Sequence, residues 1–416
     1  MTSGGKLEIM KKPTDRPEIA SENNTKPGEL AYGNEGFVFE VNSLCAHLSQ
    51  VKDGRKARGV RYSLTTLLTL MMLGKLSGHD RPEAIADWAQ LRAEGLVEML
   101  GLKRAALPHA TTYGRVMTKA VVPADLEAQV KAYFESKLDV KEAVQICIDG
   151  KQIRGTVGQL SAGNTYLLGA YLPGAGVMLF QMAVGSREGE LTIAPTLLKA
   201  LDLQGKVITG DAQFTQRNLS LQIVEAGGNY LWKVKDNQPN LRKDIEHLFA
   251  PDQAIPGFSL PKTDFRTHTQ TTISRGRIET RTLTASSLLK GSSNWPYLEQ
   301  VFKLDTRTLY KNTGQIVTAT TYGVTSLNAQ VAGPKLLSDY TLAHWGIEGG
   351  SHQRRDVTFH EDHCDLRCGH AAHVMAVLNN IAIGLISRAG FTNAAHARRV
   401  FDAQPDRAFR LLITQS

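Results

Sequence analysis

The chain has 416 residues, 42% of them hydrophobic and 21% charged, with 48 Lys and Arg against 40 Asp and Glu for a net charge of +8. That length supports about two or three domains with sizeable cores. The composition excludes a fibrous or low-complexity polymer, and the positive balance favours a polyanionic partner without requiring one. Four cysteines, Cys45, Cys147, Cys364 and Cys368, make no disulfide framework, so a reducing cytoplasm is the expected home.

Residues 1–36 are polar and rich in Gly, Pro, Asn, Lys and Glu, a composition that buries too little surface to offset chain entropy. They read as a disordered leader with no secretory signal. From 37 to 138 the apolar pattern is helical. Its most apolar run, Leu64–Leu73, is broken by threonines and too short to span a bilayer, so a buried helix and no membrane partner are expected. Asp80 is the candidate N-cap of a helix with Pro82 in its first turn and Ile85, Trp88, Ala89 and Leu91 at helical spacing. Another helix opens after Pro108 in the manner of a helix-turn-helix second helix, although helical hairpins without DNA affinity carry the same signature. Lys52, Arg55, Lys56, Arg58 and Arg61 crowd a stretch where only Asp53 opposes them, either a solvated loop or a surface for phosphate.

Between 139 and 395 short β-rich runs alternate with helices, the texture of an α/β layer structure. Val144, Ile146 and Ile148 alternate up to Asp149, Tyr166–Tyr171 and Val177–Val184 are expected strands, Val207-Ile208 leads to Asp211, and Tyr230–Val234 is a further strand. Helices are expected over Ala194–Leu201 and Asn218–Ala226. A Thr-rich stretch over about 255–332, alternating at Ile278–Leu283 and Ile316–Val324, reads as an inserted β-region. Helices resume over Pro334–Tyr340 and on through Glu348, then over His370–Arg388, before a basic C-terminal tail at 396–416.

Asp149 closes a buried strand with Gly150 behind it to turn the chain, and Asp211 follows a short apolar strand and Gly210. Two carboxylates at strand ends of one sheet can converge on divalent cations, which prefer oxygen ligands. An aspartate after a strand is more often a turn or helix cap, so the pair needs a third acid. The segment Tyr340–Glu348 supplies one: on a helix His344, Glu348, His352 and Arg355 share a face by i, i+4, i+8 and i+11 spacing, with Trp345 and Ile347 as anchors against the sheet. The segment His360–His370 mixes His, Cys and acids at a spacing that fits no zinc template. Gly150-Lys-Gln-Ile-Arg-Gly-Thr lacks the Lys that must follow the second Gly of a nucleotide loop, so no nucleotide cofactor is expected.

The words Ile148-Asp-Gly-Lys-Gln-Ile-Arg-Gly-Thr156, Gly210-Asp-Ala, Lys235-Asp-Asn-Gln-Pro239, Arg275-Gly-Arg-Ile-Glu-Thr-Arg281, His344-Trp-Gly-Ile-Glu348 and Asp356-Val-Thr-Phe-His-Glu-Asp362 resemble those of the ISAs-type, or H-repeat-associated, DDE transposases of bacterial insertion sequences. The likeness runs from about residue 44 to 388 and includes that family's N-terminal associated region at Gly54–Leu64 and Glu83–Trp88. It implies a ribonuclease-H-like catalytic core with a β-rich insertion, preceded by a small all-helical domain. It also implies catalytic and metal-holding roles for Asp149, Asp211 and Glu348, two Mg2+ (or Mn2+) ions, and DNA cleavage and strand transfer at terminal inverted repeats. Glu361 and Asp362 rank below Glu348 because the family's acid follows Trp-x-Ile. Double-stranded DNA is then the partner, with a homodimer in the synaptic complex. The expected phosphate contacts are Lys151, Arg154, Lys235, Asn237, Gln238, Arg277, His352, Arg354 and Arg355, and the cluster Lys52, Arg55, Lys56, Arg58 and Arg61 is assigned to the terminal repeats. The chain departs from the family at Leu342, Gly349, Asp236 and Arg275, which touches DNA handling and helix rigidity rather than the three acids. Two other functions share this pattern: a transposase-derived DNA-binding protein whose chemistry has lapsed, and a metal-dependent DNA nuclease.

Overall fold

Ser63 begins the first long buried element by accepting the Thr66 N–H on its hydroxyl at 3.1 Å, a side-chain cap for α2 (Leu64–Leu76). Every residue of α2 is buried, as a helix apolar on all sides must be. The computed structural model describes residues 30–32, 37–139, 144–153, 166–185, 189–250, 264–274, 276–363 and 368–414. Most of the expected leader, the start of the inserted region, Arg154, Arg275 and Cys364 therefore lie outside the described residues.

Before α2 come β1 (Leu30–Tyr32) and β2 (Val38–Glu40), an antiparallel pair, and α1 (Leu44–Ser49); after it come α3 (Pro82–Gln90), α4 (Ala93–Met99), α5 (Ala110–Arg115) and α6 (Pro123–Glu135). The helical reading of 37–138 thus needs a strand at its start. Asp80 does not cap α3, whose N-cap is Arg81 without a side-chain bond. Its carboxylate instead meets Lys75 at 3.4 Å and Arg398 at 2.7 Å.

The rest is a mixed α/β structure. In chain order it contains β3 (Gln145–Gln152), β4 (Tyr166–Leu172), β5 (Val177–Val184), α7 (Glu190–Lys199), β6 (Val207–Gly210), α8 (Arg217–Glu225), β7 (Asn229–Val234), α9 (Pro239–Phe249), β8 (Arg266–Ser274), β9 (Arg277–Ser286), β10 (Gln300–Tyr310) and β11 (Ile316–Thr325). Then follow α10 (Pro334–His344), α11 (Ala371–Arg388), α12 (Ala394–Ala403) and α13 (Pro405–Ile413). One nine-stranded sheet holds β3 to β11 in the order β5-β4-β3-β6-β7-β11-β10-β9-β8. The only parallel pairs of neighbours in it are β3 with β6 and β6 with β7. The β-rich insertion therefore extends the central sheet instead of forming a separate layer, through Thr325 paired with Leu231.

Period-two alternation divides β3 between two layers. Ile146 and Ile148 join the large apolar cluster that also takes in α2, β5, α11 and α13. Cys147 joins a small cluster with Tyr171, Met178 and Ile347 on the other side. α11 is long and apolar enough to cross a membrane by length and composition, yet 83% of it is buried inside the protein against α2, α6 and β5.

The expected basic tail is not a tail. α12 and α13 pack on α2, with Phe401 and Leu412 fully buried. Arg398 on α12 donates to the Lys75 carbonyl at 3.0 Å, to Asp80 and to the Thr358 carbonyl.

Candidate active site

β3 and β6 lie side by side and parallel, pairing Cys147 with Thr209 and Ile148 with Gly210. The next residue on each line is an aspartate, so Asp149 and Asp211 leave the same edge of the sheet on neighbouring strands, which stand about 4.8 Å apart in any sheet. Gly150 does not turn the chain, because β3 continues to Gln152. A β-carbon at 150 would run into Glu190 Oε1 and the Tyr166 hydroxyl, so glycine is needed for close approach.

The two aspartates have opposite electrostatics. Burial pushes the Asp149 carboxyl from 3.8 up to about 7, and the charges of Asp211, Glu190 and Glu348 add to the rise against a lowering hydrogen bond from Gly150. The His344 imidazole close to Asp211 holds its carboxyl below the usual carboxylate range, with Lys233 and Lys235 assisting against partial burial. His344 Nε2 stands 3.8 Å from Asp211 Oδ1, and its Nδ1 is 3.1 Å from Thr209 Oγ1. Gln145 Nε2 donates to that same Thr209 hydroxyl at 3.1 Å and to the Tyr340 carbonyl at 2.8 Å, tying α10 to β3 and β6.

The expected continuous α-helix through Glu348 stops at His344, and the chain continues in π-helical turns, Glu348–His352 and Arg354–Thr358. The wider turn breaks the i, i+4, i+8, i+11 face. Glu348 is exposed at the site. His352 turns inward, with Nδ1 3.5 Å from Asp149 Oδ2. Burial, then the charges of Arg355 and Lys151, lower the His352 pKa to about 3, so its imidazole is neutral at pH 7 and is not a cation for phosphate. Ile347 anchors the segment as expected, buried against Cys147, Tyr171 and Met178. Trp345 does not; it is 58% exposed, and the Lys233 ammonium lies 5.1 Å from its ring centroid.

Among the described residues no group of three or more His, Cys, Asp or Glu is closed enough to be counted as a metal cluster. The donor set nevertheless fits a divalent cation. The acids offer hard oxygen donors, and Asp149 is pushed up by burial and then by the carboxylates around it, a state that a bound dication would relieve.

The basic residues divide into spoken-for and open. Lys151 is buried and donates to both Asp356 oxygens, at 2.6 and 2.8 Å, so phosphate contact would require breaking that pair. Arg355 is 1% exposed and grips Glu361 through Nε and a terminal nitrogen, a structural pair rather than a DNA contact. Lys235 is exposed beside Asp211, and Arg354 is half-exposed. Asn237 and Gln238 donate to the carbonyls of Ala212 and Thr215, at 2.7 and 2.9 Å, and so hold the loop after Asp211. Arg277 is exposed at the β8–β9 hairpin. In the N-terminal cluster Lys52, Lys56, Arg58 and Arg61 are exposed, while Arg55 is bound to Asp53 and the Tyr62 carbonyl. Two site residues escaped sequence reasoning. Lys233 was signalled by a lysine inside an otherwise apolar strand, and Glu190 by an acid at the start of a helix whose apolar periodicity is visible only from Ala194.

Two parallel strands present aspartates at one sheet edge, with Lys233 and Lys235 beside Asp211 and Glu348 in the turn that follows α10, an acid-rich edge flanked by cations. Comparison with known proteins narrows this. The family model described as Transposase DDE domain matches residues 142–385, and one described as DDE_Tnp_1-associated matches residues 45–134. The chain belongs to the transposase DDE domain family, and its activity is that of a DNA transposase. It is 26% identical over 378 residues to "Putative protein YbfL" and, over the same length, to "H repeat-associated putative transposase YhhI", both of Escherichia coli strain K12. Each alignment covers 89% of this chain and 97% of the relative. A solved structure, the cryo-EM piggyBac transposase synaptic complex with hairpin DNA, aligns with a TM-score of 0.41 at 11% identity, over 88% of this chain and 78% of that one. Family membership makes DNA the partner and divalent metal ions the cofactors.

Proposed function

We propose that Asp149, Asp211 and Glu348 are the catalytic acids of an insertion-sequence transposase that cleaves double-stranded DNA at terminal inverted repeats and joins the ends to target DNA. The observation that carries this is the register of β3 against β6, which puts Asp149 and Asp211 side by side at one sheet edge. The strand order β5-β4-β3-β6-β7, with β4 antiparallel to its neighbours and β3, β6 and β7 parallel, supports a ribonuclease-H-like core.

The three carboxylates would hold two Mg2+ (or Mn2+) ions, which would lower the pKa of an attacking hydroxyl and stabilise charge on the phosphate oxygens. His344 keeps Asp211 ionised and ready to ligate. Lys233 and Lys235 lower the negative potential of the acid cluster and meet the phosphate that enters it. Lys52, Lys56, Arg58 and Arg61 bind the terminal repeats, and two copies of the chain hold the two ends in a synaptic complex within the cytoplasm.

A strand-transfer assay on DNA carrying the element's ends tests the reading, with wild type and Asp149→Asn, Asp211→Asn and Glu348→Gln compared at equal DNA occupancy. Joined products from wild type and none from the variants are expected. Cleavage without joining points to a nuclease, and DNA binding without either reaction points to a lapsed enzyme.

A further inference from the structure

Glu190 opens α7 on the far side of β3 from Asp149, since Gly150, which faces it, alternates with Asp149 along the strand. Three features converge on its carboxylate. The Tyr166 hydroxyl, at the start of β4, donates to Oε1. Gln213 Nε2, in the short 3-10 turn Ala212–Phe214 that directly follows Asp211, donates to Oε2. The missing side chain at Gly150, next to Asp149, leaves the space that Oε1 fills. One carboxylate therefore touches the chain immediately beyond each of the two aspartates.

We propose that Glu190 is a positioning residue, a clamp that sets the separation of Asp149 and Asp211 so that their oxygens can share a divalent cation. The inference rests on the reading of those aspartates as metal-holding residues. Tyr166 and Gln213 fill one oxygen each, and both hydrogen bonds favour the charged carboxylate while fixing where it sits. The N-terminal position in a ten-residue helix is favourable for an anion.

The test titrates Mn2+ alone into the full chain by calorimetry, without DNA, and follows folding of each variant by denaturant unfolding. Glu190→Ala is expected to weaken Mn2+ binding by about 10- to 100-fold. Glu190→Gln, whose amide oxygen still accepts from Tyr166 while the Gln213 amide rotates to accept in turn, restores most of the affinity. Unchanged affinity in Glu190→Ala overturns the proposal, and so does a Glu190→Gln variant as weak as Glu190→Ala, which would make the charge itself the working part. Should Glu190→Ala fail to fold, Tyr166→Phe and Gln213→Ala each cut one arm of the clamp. A smaller loss in both supports it, and unchanged affinity in both overturns it. Asp149→Asn separates the two layers of argument: if it also leaves Mn2+ binding intact the metal-site reading fails, whereas loss there with none at Glu190 removes the clamp alone.

Discussion

At the edge of β3 and β6 the acids outnumber their partners, and Asp149 is left among Asp211, Glu190 and Glu348 with its carboxyl raised to about 7. Six residues past Arg355, at the start of the short 3-10 turn Glu361–His363, Glu361 is buried with its oxygens filled, accepting from Arg355 at 2.6 to 3.0 Å and from Asn379 at 2.7 Å. Burial alone would raise Glu361, but the charge and hydrogen bonds of Arg355 and the Asn379 bond overcome it and hold the carboxyl below its ordinary range. Similar side chains in neighbouring places thus serve opposite ends. Where the protein fills an acid's bonding the acid holds the fold, and where burial and other acids outweigh the cations beside it, as at Asp149, the carboxyl rises instead.

The sharpest way to break this comparison is to unpair the filled site. Arg355→Ala leaves Glu361 buried and uncompensated and is expected to destabilise the protein by about 3–5 kcal/mol in urea unfolding. A loss below about 1 kcal/mol, the range of ordinary surface changes, would show that the pair is not structural.

The next effect is in pH. Asp149, raised from 3.8 to about 7, favours the folded state only while it carries its proton; that contribution is whole below about 3.8 and is lost as the pH rises through about 7. Glu361 runs the other way, its contribution present above its ordinary 4.5 and lost as the pH falls through its depressed folded value. In metal-free buffer at pH 8, Asp149→Asn is therefore expected to stabilise the chain by at least about 1.4 kcal/mol, the equivalent of one pKa unit. The gain should vanish at pH 4, and its persistence there would refute the electrostatic account.

How much of this was legible beforehand depends on how local the signal was. β4, β5, β6, β7 and α11 fall close to where alternation or helical periodicity put them, because each carries its own apolar face. The aspartates were legible from strand-end position, yet Gly150 was misread as a turn because its purpose, room for Glu190 and Tyr166, comes from residues 16 to 40 positions away. The roles of Lys151 and Arg355 were misjudged for the same reason: a lysine in a motif looks free until Asp356 meets it, 205 residues on. α12 and α13 were hidden by charge, since Arg398 and Arg399 read as a basic tail while Ala397, Phe401 and Leu412 form the buried stripe.

A smaller measurement sharpens the division between open and spoken-for cations. Lys235→Ala should reduce the salt dependence of DNA affinity by about one phosphate contact, whereas Lys151→Ala should leave the slope unchanged and lower stability instead. Equal slopes for both variants would erase the distinction drawn from burial.

The smallest expected effect sits at Gly349 and Gly350, directly after Glu348. Tyr171 is buried, and a β-carbon at 350 would strike its hydroxyl, so glycine there is needed for the π-helical segment to lie against β4. A β-carbon at 349 meets nothing within 4 Å, and the residue does not adopt positive φ. Gly349→Ala is accordingly expected to stabilise the protein by about 0.4–1 kcal/mol by restricting the unfolded chain. Gly350→Ala should lose stability, and a thermal-unfolding comparison in which the two shift in the same direction would mean that this turn is not seated on Tyr171. The opposite signs would show that one glycine of the pair is a structural requirement of the segment carrying Glu348, and that the other is a place where flexibility has been left in it.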